Sequence, residues 1–355
     1  ILKSIRRDEL QAGMVLGADV YSLAGQKLVP EKTTLTNYLI AKLEYYGVKY
    51  VYILEDTPSE TAKPLQVVQP KIKDTPEFKE FKKNYNAGVK VFENSLNDIV
   101  EKNAEVDVDR MYQDMQYLIS EGSGLNLLDM MQNLKQYDDS TFAHAMNVSL
   151  ICNILAGWLG FSQEETKTAT MCGLLHDIGK VKIPSSIIKK PGRLTDEEFE
   201  VIKTHTIKGY QILNDKGVSE DICNVALMHH EKCDGSGYPF GLRAAQINRY
   251  AKLVAVADVY DAMTSPRVYR GALPPFDVLQ LYEDEGMYRF DAGYVMTFVQ
   301  HVAETYLNAR VRLNDGREGQ IVYINRQNVA RPTIQCNGEL VDLVKKPDLK
   351  IVQML

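Results

Sequence analysis

Apolar residues change rhythm several times along the chain, and each change marks a different kind of structure. In the first stretch, MVLGADVY and KLVP flank Ala24-Gly25 and read as strands joined by a turn. TLTNYLIAKLEYYG then places Leu35, Leu39, Ile40 and Leu43 on one helical face, with Gly47 as its stop, before VKYVYIL returns as a strand. EDTPSETAKPLQVVQPKIKD is polar, proline-bearing and aperiodic, the pattern of a linker. Beyond it Thr75 caps a helix and Pro76 takes its first position, while Phe78, Phe81, Tyr85, Val89, Phe92, Leu96 and Ile99 form an apolar stripe. Such a stripe either packs on its own domain or makes a homodimer seam through the 75–120 helices.

From about 125 to 305 the pattern is almost wholly helical, as in LTDEEFEVIKTHTIKGYQIL, where Thr195 and Glu198 make a capping-box pair. The end of the chain changes again: VRLNDGREGQIVYIN and TIQCNGELVDLV are short strands broken at the hairpin signals Asp315-Gly316 and Asn337-Gly338. The fold class expected is therefore mainly α. A small α/β unit covers 1–62, a linker and helical connector 63–124, a helical domain 125–305, and a small β unit 306–355.

Composition narrows the function classes. With 355 residues, 45% hydrophobic and 25% charged, the chain is an ordinary globular protein. A net charge of -6 gives no general attraction to DNA, RNA or an anionic membrane. The five cysteines are scattered without a Cys-x-x-Cys pair, which suits a reducing compartment. The opening ILKSIRRDELQAGM lacks the apolar core of a signal peptide. VSLICNILAGWLGF is too short to span a bilayer, contains Asn153, and reads as a buried core helix. A cytoplasmic protein without a membrane span is expected.

The six histidines are His144, His176, His205, His229, His230 and His301, and five of them lie between 144 and 230. His176 precedes Asp177 in LLHDIGK, after an apolar run that buries the helix. Asp258 lies in KLVAVADVYDAM, so apolar that a lone carboxylate there needs a partner. A buried His-Asp pair, a second buried Asp and four further histidines make a shell for two metal ions. Imidazole and carboxylate suit iron, manganese or zinc, and the lack of thiolate partners argues against a structural zinc knot. A carboxylate has two oxygens and can bridge two metals, with Asp177 the natural candidate. Two ions about 3.5–4 Å apart activate a water between them and hold a phosphoryl group for in-line displacement.

His144, HDIGK at 176–180, His205, the pair at 229–230, DGSGYP at 234–239 and the Asp258 helix follow the order and spacing of the HD-GYP family. The chain resembles an HD-GYP phosphodiesterase from near Tyr137 to near Gln300. That resemblance implies an all-helical HD-GYP domain and a metal-dependent enzyme. The implied reaction is hydrolysis of a cyclic dinucleotide, above all cyclic di-GMP, to the linear dinucleotide or on to GMP. Two divalent ions are implied, iron or manganese. One takes His144, His176, Asp177 and Asp258; the other shares Asp177 and takes His205, His229 and His230.

By the same resemblance Lys180 binds the scissile phosphate, and Arg267, Arg270 and Tyr238 are further substrate-contact candidates. Asp261 is read either as orienting a metal ligand or as a plain hydrogen-bonding residue. Some members hold a third metal through a Glu four residues before the first histidine; Ser140 stands there, so a two-metal centre is expected. A different class is a non-catalytic module that senses a cyclic dinucleotide or docks to diguanylate cyclases (GGDEF proteins) through the Gly-Tyr-Pro surface. Degenerate members of that kind lose ligands, whereas every two-metal ligand is present here. A third alternative keeps the enzyme and takes a mixed cyclic GMP-AMP dinucleotide as substrate.

Overall fold

The computed structural model describes residues 2–6, 9–11, 13–21, 27–35, 39–40, 43, 48, 50–54, 75–120, 127–128, 130–131, 134, 141–190, 194–265 and 273–355. In the N-terminal region β1 (Leu2–Arg6) pairs antiparallel with β4 (Tyr50–Leu54), and β2 (Val20–Tyr21) pairs with β3 (Lys27–Val29). Leu16, Leu28, Val29, Leu35, Leu43, Val51 and Ile53 close an apolar cluster belonging to this region. β1 was not among the expected strands. LKSIR buries only Ile5 of its described side chains, so its strand form comes from the ladder to β4 and not from an apolar run of its own. The linker expected at 55–74 lies outside the described residues.

The helical part begins with α1 (Pro76–Glu101), where the Thr75 hydroxyl accepts the Phe78 N–H at 3.2 Å as the cap predicts. The whole apolar stripe of α1 is buried within this chain, so this face is not the dimer seam. Its Tyr85 hydroxyl, 2.7 Å from Asn147 Oδ1 and 3.0 Å from the Ala143 carbonyl, ties α1 to the helix that carries His144. α2 (Val108–Ser120) follows, then α3 (Thr141–Trp158) and α4 (Gln163–Leu175). α3 is apolar around most of its circumference and lies in the core, as VSLICNILAGWLGF requires.

α5 (Asp196–Lys203) starts at the expected Thr195–Glu198 capping box, and Thr204 separates it from α6 (His205–Asp215). α7 (Glu220–Met228), α8 (Arg249–Thr264), α9 (Pro275–Leu281) and α10 (Ala292–Thr305) complete the labelled helices. No described helix is long and apolar enough to cross a membrane. The last segment forms an antiparallel sheet in the order β8-β7-β6-β5-β9, from β5 (Arg310–Leu313), β6 (Glu318–Asn325), β7 (Asn328–Cys336), β8 (Glu339–Asp342) and β9 (Ile351–Met354). Asn337 and Gly338 both take positive φ, 48° and 87°, as a two-residue hairpin turn demands. The sheet shares the main core, and the Glu283 carboxylate fastens it by accepting the Val329 N–H at 2.6 Å and the Ala330 N–H at 3.3 Å.

Candidate metal centre

Most of the clustered histidines stand where helices stop. His176 is the C-cap of α4, and Asp177 starts a 3-10 turn over Ile178–Lys182. His205 is the first residue of α6, His229 caps the end of α7, and His230 follows it. At such ends the backbone departs from helical spacing, so neighbours that a helix would point about 100° apart can converge. His144, Asp258 and Asp261 come instead from the interiors of α3 and α8, which pack together. The approach of the 3-10 turn to α6 depends on Gly179, where any Cβ would overlap the His205 carbonyl oxygen.

Asp177 is the geometric middle. Its Oδ1 lies 3.3 Å from His205 Nε2 and 3.6 Å from His229 Nε2. Its Oδ2 lies 3.3 Å from His176 Nε2 and 3.9 Å from His144 Nε2, and the Lys180 ammonium pairs with the same oxygen. Two clusters able to hold a cation result: His144, His176 and Asp177, and Asp177, His205, His229 and His230. Within each, one donor atom per residue lies within 4.8 Å of all the others. Asp258 falls outside both clusters, with Oδ1 3.0 Å from His144 Nε2 and Oδ2 4.0 Å from His230 Nδ1. It therefore stands between the two histidine sets, directly against His144 of the first.

The far nitrogens of the rings explain their orientation. His176 Nδ1 is 2.7 Å from the Gly173 carbonyl, His205 Nδ1 2.6 Å from that of Ile202, and His229 Nδ1 3.0 Å from that of Val225. A carbonyl only accepts, so each Nδ1 carries a proton and each ring turns its Nε2 edge toward Asp177. His205 Nε2 and His229 Nε2 face each other at 3.3 Å. His176 Nε2 and Asp177 Oδ1 are buried with no hydrogen-bond partner. Buried polar atoms without partners leave room for a cation, and the donor set of imidazole and carboxylate fits divalent ions. His144 Nδ1, 2.7 Å from Asp261 Oδ2, is held by a carboxylate in the manner that orients metal-bound imidazoles.

The electrostatics agree. Burial lowers His229 to about 4, and burial followed by the charge of His229 holds His230 well below its ordinary value, so both rings stay neutral. Burial also opposes charge on Asp177, yet Lys180 and His176 outweigh it and hold the carboxyl well below the usual range. At His144 burial again works against charge, while Asp258 and Asp261 overcome it and raise the ring to about 9. Both carboxylates give the same preference to any cation at that imidazole.

Tyr238 lies against the cluster, its ring 4.6 Å from that of His230 at an interplanar angle of 31°. Arg267, Arg270 and Ser140 lie outside the described residues. His301 stands apart, stacked on Trp158 at 4.7 Å with Nδ1 2.8 Å from the Thr297 carbonyl, and serves packing. All five cysteines are free thiols. Sequence reasoning passed over Glu231, which is only 3% exposed. Its neighbours Lys232 and Asp234 gave it the look of a solvated charge.

A family model described as HD domain matches residues 128–293. A cyclic di-GMP phosphodiesterase of Pseudomonas aeruginosa is 37% identical over 59% of this chain and 51% of its own length. A cyclic di-GMP phosphodiesterase response regulator of Xanthomonas campestris is 43% identical over 38% of this chain and 36% of its own. A 3'3'-cGAMP-specific phosphodiesterase of Vibrio cholerae is 38% identical over 41% of this chain and 34% of its own. The matched stretch thus spans about half or less of these relatives. Residues 128–293, which carry HDIGK at 176–180 and HHEKCDGSGYP at 229–239 around one shared carboxylate, match the HD domain family.

Proposed function

We propose that this chain is a metal-dependent phosphodiesterase that hydrolyses a cyclic dinucleotide, cyclic di-GMP first among them. The observation that carries the proposal is Asp177, whose two oxygens face two separate histidine sets. Iron or manganese suits this set, with His144, His176 and Asp177 holding one ion and Asp177, His205, His229 and His230 the other. Asp258 adds negative charge beside both. When bound, two such ions polarise the phosphoryl oxygens and lower the pKa of a water in line with the scissile bond.

The remaining work falls to the chain's own groups. Asp261 fixes the His144 ring and keeps Nε2 turned inward. Lys180, partly exposed beside Asp177, offers its ammonium to a non-bridging phosphoryl oxygen as charge builds there. A water oxygen adds to phosphorus, the bond to the 3′ oxygen breaks, and the proton given up by the water ends on that leaving oxygen. Tyr238 and the residues at 267 and 270 are the proposed contacts for the rest of the nucleotide.

The relative specific for 3'3'-cGAMP supports a second reading, the mixed dinucleotide as substrate. Cytoplasmic residence belongs to both readings. Two partners are carried with them: a diguanylate cyclase at the Gly-Tyr-Pro loop, where Phe240 is 60% exposed, and a second copy of the chain. A homodimer through α1 has to use its outward face, where Val91 is exposed, because the apolar stripe is buried. The test is anaerobic purification with metal analysis, then chromatography of products from cyclic di-GMP and 3'3'-cGAMP with iron or manganese. About two ions per chain and turnover of one dinucleotide are expected. Loaded protein that binds either dinucleotide without cleaving it would make the chain a sensor, and about three ions per chain would overturn the two-metal centre.

A further inference from the structure

Glu231 directly follows the histidine pair and is buried, a position a carboxylate occupies only with strong partners. One of its oxygens accepts the Phe240 N–H at 2.7 Å and the other the Leu242 N–H at 2.8 Å. These two amides flank Gly241, whose φ of +66° turns the chain so that both point back at the carboxylate. The other arm of the loop is pressed onto the same residue. A Cβ on Gly237 would overlap the Glu231 Cα and the Lys232 nitrogen, and the Tyr238 N–H reaches the His230 carbonyl at 3.2 Å. The loop is thus wrapped around Glu231, with Tyr238 held between the two attachments and its ring laid on His230.

We propose that Glu231 is the positioning residue of the Gly-Tyr-Pro loop: its carboxylate pins Phe240 and Leu242, so that Tyr238 packs on His230, fixes that ring for the cation, and presents the aromatic surface a substrate meets. This rests on the reading of the cluster as the centre of a phosphodiesterase. Glu231 acts through Tyr238 and need not touch the reacting atoms. Tyr238 in turn acts through its ring, because the contact with His230 is ring on ring.

The test is a double-mutant cycle of Glu231→Ala and Tyr238→Ala in the full chain, with Tyr238→Phe as the conservative control. Manganese binding is measured by titration, and kcat and KM for cyclic di-GMP at saturating manganese. Glu231→Ala is expected to weaken manganese binding about tenfold, at the low end of what outer residues of metal sites are worth. KM rises by about the same factor, and kcat stays within about threefold, since the inner ligands are intact. Tyr238→Ala reproduces these changes, Tyr238→Phe, which keeps the ring on His230, retains wild-type manganese affinity, and the double variant is no worse than Tyr238→Ala. Additive losses, or unchanged manganese affinity and KM in Glu231→Ala, would overturn the proposal. Should Glu231→Ala fail to fold, Glu231→Gln, which keeps one accepting oxygen, carries the same cycle with smaller shifts. If the wild-type chain cleaves no dinucleotide, the functional reading fails, while the manganese titrations still decide the role of Glu231.

Discussion

Asp177→Asn separates the cost of the centre from its use, because it keeps the shape of the side chain and removes the charge. In the wild-type protein Asp177 Oδ1 is buried without a donor, 3.3 Å and 3.6 Å from the Nε2 atoms of His205 and His229. An unsatisfied buried acceptor costs about 1–3 kcal/mol. An asparagine amide turned the same way donates to one of those imidazoles and removes that cost. The substitution also gives up the attraction to Lys180 and His176 that holds the carboxyl below its usual range, which offsets that gain; the partly exposed Lys180 pair is worth about 0–1 kcal/mol after solvent screening. In chelator, therefore, Asp177→Asn melts within a few degrees of wild type, taking about 2–4 °C per kcal/mol for a domain of 150–250 residues.

Manganese separates the two. At a thousand times its dissociation constant an ion adds about 4 kcal/mol per site to the wild type. The variant, with its shared anionic ligand gone, gains little from the same addition. Thermal unfolding followed by circular dichroism, in chelator and again in manganese, reads both effects. A chelated variant melting well below wild type, or one rising as far as wild type with manganese, would refute the reasoning.

Three further outcomes follow from the same geometry. Lys180→Ala should lower kcat by about 10²–10³, the range for losing one donor to a charged transition state, with manganese stoichiometry unchanged; loss of bound metal would make Lys180 a structural residue. Asp261→Ala, which removes the carboxylate 2.7 Å from His144 Nδ1, should weaken manganese binding about 10–100-fold by calorimetric titration, and equal affinity would deny it that role. Gly179→Ala should cost about 1–3 kcal/mol or more in urea unfolding, since its Cβ has to displace α6 at His205 and would lie 2.6 Å from the Gly209 nitrogen; unchanged stability would mean the close approach is not needed.

Sequence by itself determined whatever depends on near neighbours. The Thr75 cap, the Thr195–Glu198 capping box, the Asn337-Gly338 turn and the apolar character of α3 are each settled by residues a few positions apart, and each is present. The histidine census and the HD-GYP spacing likewise named the residues that gather at the centre. What the sequence could not supply was their mutual arrangement. That Asp177 divides its oxygens between two histidine sets, and that Asp258 stands between those sets, follows from how α3, α6, α7 and α8 pack; spacing along the chain fixes a face and not the partner opposite it.

β1 shows the same limit, because only the ladder to β4 makes LKSIR a strand. Glu231 shows it most sharply. Among Lys232 and Asp234 it looks like a surface charge, and only the return of the chain at Phe240 and Leu242 buries it and satisfies it. Local signals are written in hydrogen bonds and periodicities a few residues long. Burial of a charge is decided by what the tertiary fold brings back to meet it.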